Sequence, residues 1–482
     1  MLIMKNIKLI LIALLCLPLL TGCDNDFEEL NTDPNNPTAV PAHLLLGYAQ
    51  RQQLNSLYST FVGCDMGMCW SQQMAKVQYN DEERYVPRRG VIDGVWNNQY
   101  TLVASEGRAI SDLSNADGNQ VLEGVGKVMQ AIAFQTLADI FGPIPFTEAL
   151  DGAILQPAYD DEAVVWEGII QLLTDAADLI STGNGSIVST SDLYYGGDAS
   201  KWLKLANSLK FRALMRISST RSVGAELQAL INGGNLMTSN ADSGQLVFLS
   251  AAPDANPLYE TIVDGARLEF KIGEVMVNLL EIANDPRLEV YASPNASGDI
   301  LGKPVGYGNV TALPNEELGY TYSNISGLGD KYLDPTLPGV VMSYAQLCFL
   351  KAEAANEGYI SGGLAGALNF YKQGIAASFA FNGLDATSFL SGENVNFANQ
   401  NDARVKIATQ EYIALFGQGV ESWTEWRRTK VPALSPAVEG DINQIPSRYY
   451  YPTTEPSLNG ANYEAASSSI GGDLLTSPLF WQ

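Results

Sequence analysis

The stretch VLEGVGKVMQAIAFQTLADIFG, residues 121–142, decides the fold class of this chain. Its apolar residues recur three or four positions apart, the spacing that places side chains on one face of an α-helix. The pattern stops at Gly142-Pro143, because proline cannot continue a helix. The apolar face consists of Val121, Val125, Val128, Ile132, Leu137 and Ile140. The stretch is therefore predicted to form a long amphipathic helix.

Similar patterns on both sides of this stretch predict further helices joined by short connectors. They lie near residues 41–62, 94–113, 161–181, 199–219, 266–283, 340–358, 363–378 and 403–417. QLVFLS at 245–250 is the best strand signal, whereas residues 284–339 and 431–482 are rich in Gly, Pro, Asn, Ser and Tyr and predict long loops. A single helical hairpin cannot bury its apolar face alone. The chain is therefore predicted to be mainly α, with stacked hairpins of which residues 344–375 most resemble a tetratricopeptide hairpin.

The N-terminus has the features of an export signal. Lys5 and Lys8 precede an apolar run of twelve residues, and the sequence LTGC at residues 20–23 closes it. At about 1.5 Å per residue, this run is too short to cross a hydrocarbon core of about 30 Å. We therefore predict a signal peptide over residues 1–22 and lipidation of Cys23, which would tether the mature chain to a membrane. An ordinary secretory signal that ends near a chance cysteine is the alternative.

The segment that follows Cys23 is acidic and then rich in Asn and Pro, without a hydrophobic period. We predict that residues 23–40 form a lipidated tether and that residues 41–482 form a single helical domain.

The mature chain is strongly acidic. Removal of residues 1–22 leaves 26 basic and 53 acidic residues, a formal net charge of −27 with His43 neutral. Nucleic-acid binding requires a basic surface that displaces counterions, and the sequence contains no basic cluster beyond pairs such as Arg427-Arg428. We therefore exclude nucleic acid as a partner.

Few residues of the mature chain suit catalysis or metal binding. His43 is the only histidine, which excludes a histidine-based triad and removes the usual zinc ligands. No phosphate-binding loop and no calcium loop is present, so neither a cofactor nor a metal is predicted. Cys64, Cys69 and Cys348 favour buried free thiols, although a local Cys64–Cys69 disulfide remains open.

A pair of carboxylates is the one catalytic arrangement that the composition allows, since a glycosidase needs two such groups about 5 to 9.5 Å apart. The pairs Glu82-Glu83, Asp160-Asp161 and Glu316-Glu317 fall in predicted helix caps or loops, where solvation accounts for them. We therefore predict that the protein is not an enzyme, with a surface hydrolase as the alternative.

Two loop stretches combine aromatic rings with hydrogen-bonding side chains, as a binding site for sugars or peptides requires. The first spans residues 70–85 and the second residues 307–332. The predicted ligand-binding residues are Trp70, Gln73, Tyr79, Asn80, Arg84, Tyr85, Tyr320 and Tyr322. For Trp70 and Tyr85 the alternative is that they anchor loops to the core. Five other tryptophans fall on helical stripes and are predicted to pack in the core: Trp96, Trp166, Trp202, Trp423 and Trp426.

Seven stretches along the chain together resemble the SusD/RagB family, in its SusD-like branch. They are NTDPNNPT after the acidic N-terminus, LADIFGPIPFTEAL (137–150), DLYYGGDASKWLKLANSLKFRALMRI (192–217), NDPRLEVYA (284–292), AEAANEG (352–358), EYIALFGQGVESWTEWRRTKVPAL (411–434) and IPSRYYYPTTEPSLN (445–459).

The resemblance implies a Bacteroidetes lipoprotein on the outer face of the outer membrane. It implies tetratricopeptide-like helix pairs packed against an irregular, loop-rich half, and a partner, a TonB-dependent barrel transporter of the SusC type. Members of the family act as the lid of that transporter and capture oligosaccharides or, in some systems, oligopeptides. A structural surface lipoprotein without cargo remains a further alternative.

Overall fold

Helices dominate the computed structural model of the chain, which describes residues 40–308 and 320–482. The prediction of a mainly α fold is confirmed. The predicted signal peptide, the lipidation site Cys23 and the tether up to residue 39 lie outside the described residues. None of the helices in the described ranges is both long enough and apolar enough to cross a bilayer.

Twelve α-helices of nine or more residues form the framework of the described chain. They are α1 (Ala42–Leu57), α2 (Ser105–Ala116), α3 (Gln120–Phe141), α4 (Glu162–Ser181), α5 (Ala199–Arg216), α6 (Gly224–Gly233), α7 (Glu274–Ile282), α8 (Tyr344–Asn356), α9 (Gly363–Phe381), α10 (Gln400–Ala414), α11 (Gly419–Thr429) and α12 (Gly460–Ser469). A π-helical segment, Thr60–Met68, follows α1.

The strands are short and form two antiparallel pairs. β1 (Met74–Lys76) pairs with β3 (Phe270–Ile272), and β2 (Gly244–Leu246) pairs with β4 (Gly339–Met342). The predicted strand 245–250 is therefore shifted by one residue at its start and ends early. The remaining described residues outside the helices are mostly loops.

Two of the predicted helices begin too early. The prediction of a helix over 266–283 is wrong at its N-terminal end, because Phe270–Ile272 is β3 and the helix begins at Glu274. In the same way, residues 339–342 form β4, ahead of α8. In both cases the prediction merged a short strand with the helix that follows it, because hydrophobic periodicity alone does not distinguish the two. Helices α6, α11 and α12 were not predicted.

The helices stack as antiparallel neighbours. Helix α3 packs between α2 and α4, and α4 packs on α5. Farther along the chain, α8 and α9 form a hairpin, and α10 packs against both. Helix α3 is buried on almost every side, as expected for the centre of a stack rather than for a surface helix. The five tryptophans predicted to lie in the core are all buried, which confirms that prediction.

Glycines allow α2 and α3 to approach closely. A Cβ atom at Gly126 would lie 2.5 Å from Ser111 Oγ and 2.6 Å from Gly107 O, both on α2. The backbones of the two helices are therefore in direct contact at this point.

The C-terminal segment packs back onto the helical stack. The backbone N–H of Phe480 donates to Glu162 Oε1 at 3.0 Å, at the start of α4. The buried ring of Trp481 lies 5.5 Å from the Arg216 guanidinium and 5.3 Å from that of Arg427. Trp481 is thus part of the core.

Cys64, Cys69 and Cys348 are buried free thiols. This agrees with the favoured prediction, and Cys64 and Cys69 form no local disulfide.

We predict that Gly126→Ala lowers the free energy of unfolding by about 1–3 kcal/mol, the usual cost of overpacking a core contact. The added methyl group meets backbone and a short side chain, which cannot move aside. Chemical denaturation followed by circular dichroism measures the change. Gly233→Ala on α6 is the matched control, because no atom lies within 4 Å of its added Cβ. A neutral or stabilising Gly126→Ala would contradict the close contact.

We predict that Glu162 makes the folded state less stable as the pH rises from about 5 to 8. Burial raises the pKa of Glu162 to about 8, whereas the unfolded chain releases this proton near pH 4. Between these values only the folded state holds the proton, so stability falls with rising pH. Denaturation of the wild type and of Glu162→Gln across this range is the measurement. The variant should lose less stability than the wild type, and equal slopes would rule out this role of Glu162.

Candidate ligand-binding site

The two-stranded ribbon of β1 and β3 carries the candidate site. Ala75 lies opposite Lys271 in the register, and the N–H of Val77 donates to Glu269 O at 3.0 Å, which extends the pairing beyond β1. Side chains alternate along a strand. Phe270 and Ile272 are buried in the core, so Lys271 between them points to the other face of the ribbon.

Two exposed tyrosines and two cations share this other face. The side chains of Tyr79 and Tyr322 are 55% and 40% exposed. The Arg267 guanidinium lies 5.3 Å from the centre of the Tyr79 ring, and Lys271 Nζ lies 5.3 Å from that of Tyr322. Burial raises the pKa of Tyr322, the nearby Glu269 carboxylate raises it further, and Arg267 acts in the opposite direction. We call Tyr79, Tyr322, Arg267 and Lys271 the tyrosine platform.

A groove of about 510 Å³ lies next to the platform. Its described lining consists of Gln72, Glu274, Val275, Pro304, Val305, Tyr307, Tyr320, Ala433, Ser435, Pro436 and Val438. Tyr320 and Tyr322 are separated by one residue, so the groove and the platform share this segment. The lining combines apolar side chains with a few polar ones, the composition that is typical of small-ligand sites.

The polar groups of the groove are held by local hydrogen bonds. Tyr320 Oη donates to Glu274 Oε1 at 3.4 Å, and Gln72 Nε2 donates to Ser435 O at 2.5 Å. Burial raises the pKa of Glu274, and the bond from Tyr320 opposes this rise. Among the described lining residues, Glu274 is the only carboxylate. The described lining therefore does not contain the pair of carboxylates that a glycosidase requires.

Glu83 joins the ribbon to the loop that lines the groove. Its Oε1 accepts from Lys303 Nζ at 2.7 Å and from the N–H of Gly306 at 2.6 Å, while its Oε2 accepts from the N–H of Lys76 at 2.6 Å. The side chains of Glu83 and Lys303 are both fully buried. The loop is thus fixed by a buried ion pair.

A second buried cluster lies beneath the ribbon. Lys76 Nζ lies 3.0 Å from Asp65 Oδ1 and 3.6 Å from Glu82 Oε2, and Arg88 lies 3.0 Å from Glu82 Oε1. Burial raises the pKa of Asp65 to about 7, although Lys76 acts in the opposite direction. The prediction that Glu82 and Glu83 are solvated is wrong, because basic partners compensate their charges inside the protein. Of the other predicted pairs, Asp161 is exposed at the start of α4, and Glu316-Glu317 lies outside the described residues.

Four of the predicted ligand-binding residues support the site from below. Trp70 is fully buried, its Nε1 donates to Glu82 O at 2.9 Å, and its ring meets that of Trp423 edge-on at 5.0 Å. Gln73 Nε2 donates to Tyr412 O at 2.7 Å, and Asn80 Nδ2 donates to Tyr307 O at 2.7 Å. The hydroxyl of Tyr85 accepts from the N–H of Ala437 at 2.8 Å.

All four of these side chains are buried, so none of them presents a surface to a ligand in this conformation. For Trp70 and Tyr85, this burial agrees with the alternative that they anchor loops to the core. Burial also raises the pKa of Tyr85 to about 12.

Of the other four predicted residues, three are at least partly exposed, whereas Tyr320 is buried with 9% of its surface accessible. Tyr79 and Tyr322 belong to the platform and Tyr320 lines the groove, while Arg84 forms an ion pair with Asp81 at 2.8 Å. The sequence interpretation missed Arg267, Lys271 and Glu274 because all three fell inside the predicted helix 266–283. Recognition of the short Phe-Lys-Ile strand would have placed Lys271 on the face opposite the buried Phe270 and Ile272.

Comparison with solved structures identifies the fold. A chitin-binding protein has a TM-score of 0.78 and 24% identity, with 92% of this chain and 99% of that one covered. A chitin-binding SusD homologue from Flavobacterium johnsoniae gives 0.78 and 20%, with 91% and 98% covered. A SusD-like protein from Bacteroides thetaiotaomicron gives 0.77 and 25%, with 92% and 98% covered. No match was found among proteins of curated function.

The sequence itself matches a family over most of its length. Residues 34–452 match the SusD-like family described as "Starch-binding associating with outer membrane". This description is that of binding proteins rather than enzymes, in agreement with the prediction from the sequence. The match covers well over half of the chain, and the chain therefore belongs to the SusD-like family.

Proposed function

We propose that this protein binds an oligosaccharide at the cell surface, with the tyrosine platform and the adjoining groove as its site. The observation that carries this function is the pair of exposed rings, Tyr79 and Tyr322, on one face of a paired ribbon. The apolar C–H face of a sugar packs well on such rings, whose flat surface costs little conformational entropy on binding.

The groove supplies the polar part of recognition. Gln72, Glu274, Ser435 and the Tyr320 hydroxyl line it and offer donors and acceptors that orient sugar hydroxyl groups. With one described carboxylate in the lining, a bound glycan would leave intact rather than hydrolysed. Starch binding in the family description and chitin binding in the names of two neighbours favour a glycan over the alternative cargo, an oligopeptide.

The second part of the proposal concerns delivery. Cys23 would carry the lipid anchor, and residues 23–40 would tether the folded part to the outer membrane, where it would act as the lid of a SusC-type, TonB-dependent transporter. Support comes from the lipobox-like sequence at residues 20–23 and from the outer-membrane association in the family description.

We predict that Tyr79→Ala and Tyr322→Ala each weaken oligosaccharide binding about 5- to 10-fold. A stacked aromatic contact contributes about 0.5–1.5 kcal/mol beyond its buried area, and 1.4 kcal/mol corresponds to a factor of ten in affinity. Isothermal calorimetry with starch- and chitin-derived oligosaccharides is the measurement. Tyr48→Ala is the matched control, because Tyr48 is a 44% exposed tyrosine on α1 that belongs to neither the platform nor the groove. Full affinity in both platform variants would place the site elsewhere.

We further predict that the full chain, extracted from its native outer membrane in mild detergent, co-purifies with a β-barrel protein in a stoichiometric amount. Cys23→Ala should no longer fractionate with the membrane, because the lipid anchor is lost. Mass spectrometry of the purified complex identifies both the barrel and any bound cargo. Recovery of the lipidated chain alone would contradict the lid role, whereas glycan binding would stand.

A further inference from the structure

Lys271 differs from the other cations around the site because no carboxylate of the described residues forms an ion pair with it. Arg267 pairs with Glu269, Arg84 with Asp81, Lys303 with Glu83, and Lys76 with Asp65. Each of those four charges is thus compensated within the protein. The contact described for Lys271 is with the ring of Tyr322, whose centre lies 5.3 Å from Nζ.

The backbone fixes the position of Lys271. Lys271 is the central residue of β3, paired opposite Ala75, and its neighbours Phe270 and Ile272 are buried. The side chain therefore leaves the ribbon on the same side as the exposed rings. Lys271 is partly buried, and this desolvation lowers its pKa. A partly desolvated ammonium group gains when an anion approaches, because the anion replaces lost hydration with a charge-assisted contact.

We propose that the tyrosine platform prefers oligosaccharides that carry carboxylate or sulfate groups over their neutral counterparts, and that Lys271 is the residue that selects them. This inference rests on the proposed glycan-binding function and specifies its substrate class. A sugar ring on Tyr322 would place its acidic substituent within reach of Lys271 Nζ. Arg267, already paired with Glu269, would contribute less.

The overall charge of the protein opposes this preference only at a distance. A formal net charge of −27 on the mature chain repels anionic glycans, but at physiological ionic strength such fields decay over about 8 Å. Once the sugar lies on the platform, the nearest charge dominates. The preference is therefore expected to be a contact effect that weakens as salt is added.

The test compares sugars that differ only in charge. Malto-oligosaccharides and chitin oligosaccharides are each used in their neutral form and after oxidation of C6 to the carboxylate. Calorimetry with the full-length protein should give about 5- to 10-fold tighter binding of the oxidised form at low salt, with a smaller ratio at high salt. Equal binding of both forms would overturn the inference but leave the proposed function intact. Failure to bind either form would overturn the proposed function as well, whereas full affinity in both Tyr79→Ala and Tyr322→Ala would place the site elsewhere.

Variants of Lys271 separate its charge from its packing. Lys271→Gln should bring the two affinities to within about twofold of each other, whereas Lys271→Arg should keep the preference. Lys201→Gln is the matched control, since Lys201 also lies over a tyrosine ring, 5.9 Å from Tyr195, outside the site. A preference that persists in Lys271→Gln would overturn the role of Lys271. If Lys271→Gln unfolds, Lys271→Arg and the salt dependence of the wild type decide the question.

Discussion

The fold depends on one buried guanidinium group, that of Arg216. It lies at the end of α5 and contacts Asp139 of α3 at 3.3 Å, and Glu421 and Glu425 of α11 at 2.8 Å each. Although burial alone would lower the pKa of Arg216, these carboxylates raise it above its ordinary value. The removal of Arg216 would leave these buried carboxylates without the cation that they share, which is far more costly than the loss of a surface ion pair. Arg216 therefore requires the helical stack and the C-terminal part of the chain to assemble together.

The loop-rich half is also held together by buried arginine side chains, because it has few strands. Arg427 donates to Ser447 O and Asp139 O at 2.7 Å each, and Arg448 donates to Phe141 O at 2.9 Å. Such bonds satisfy carbonyl groups that no strand partner reaches. Below the candidate site, the buried carboxylate of Glu83 accepts hydrogen bonds from backbone N–H groups and from Lys303. Rigid loops are what a binding surface requires, since each residue ordered on binding reduces affinity.

The sequence predicts what depends on local periodicity. The apolar period of residues 121–142 extends over several turns and identifies α3, and the core tryptophans follow from the same stripes. The sequence does not predict contacts between residues that are far apart along the chain. Glu83 and Lys303 are 220 positions apart, and only folding brings them together. Trp70 and Tyr79 lie in one stretch of similar composition, yet one ring is fully buried and the other is half exposed. Their exposure depends on Trp423 and Arg267, distant residues that local composition does not reveal.

Under the proposed preference for anionic glycans, the charge distribution would separate the two stages of cargo capture. The acidic surface would slow the approach of an anionic glycan, since long-range fields act mainly on the rate of association. Lys271 would act after contact and slow dissociation, which is where most differences in affinity arise among related ligands. If the protein hands its cargo to a transporter, as proposed, it must also release that cargo. An ammonium group without an ion-pair partner among the described residues, beside two exposed rings, suits that requirement, because it would select a ligand without enclosing it.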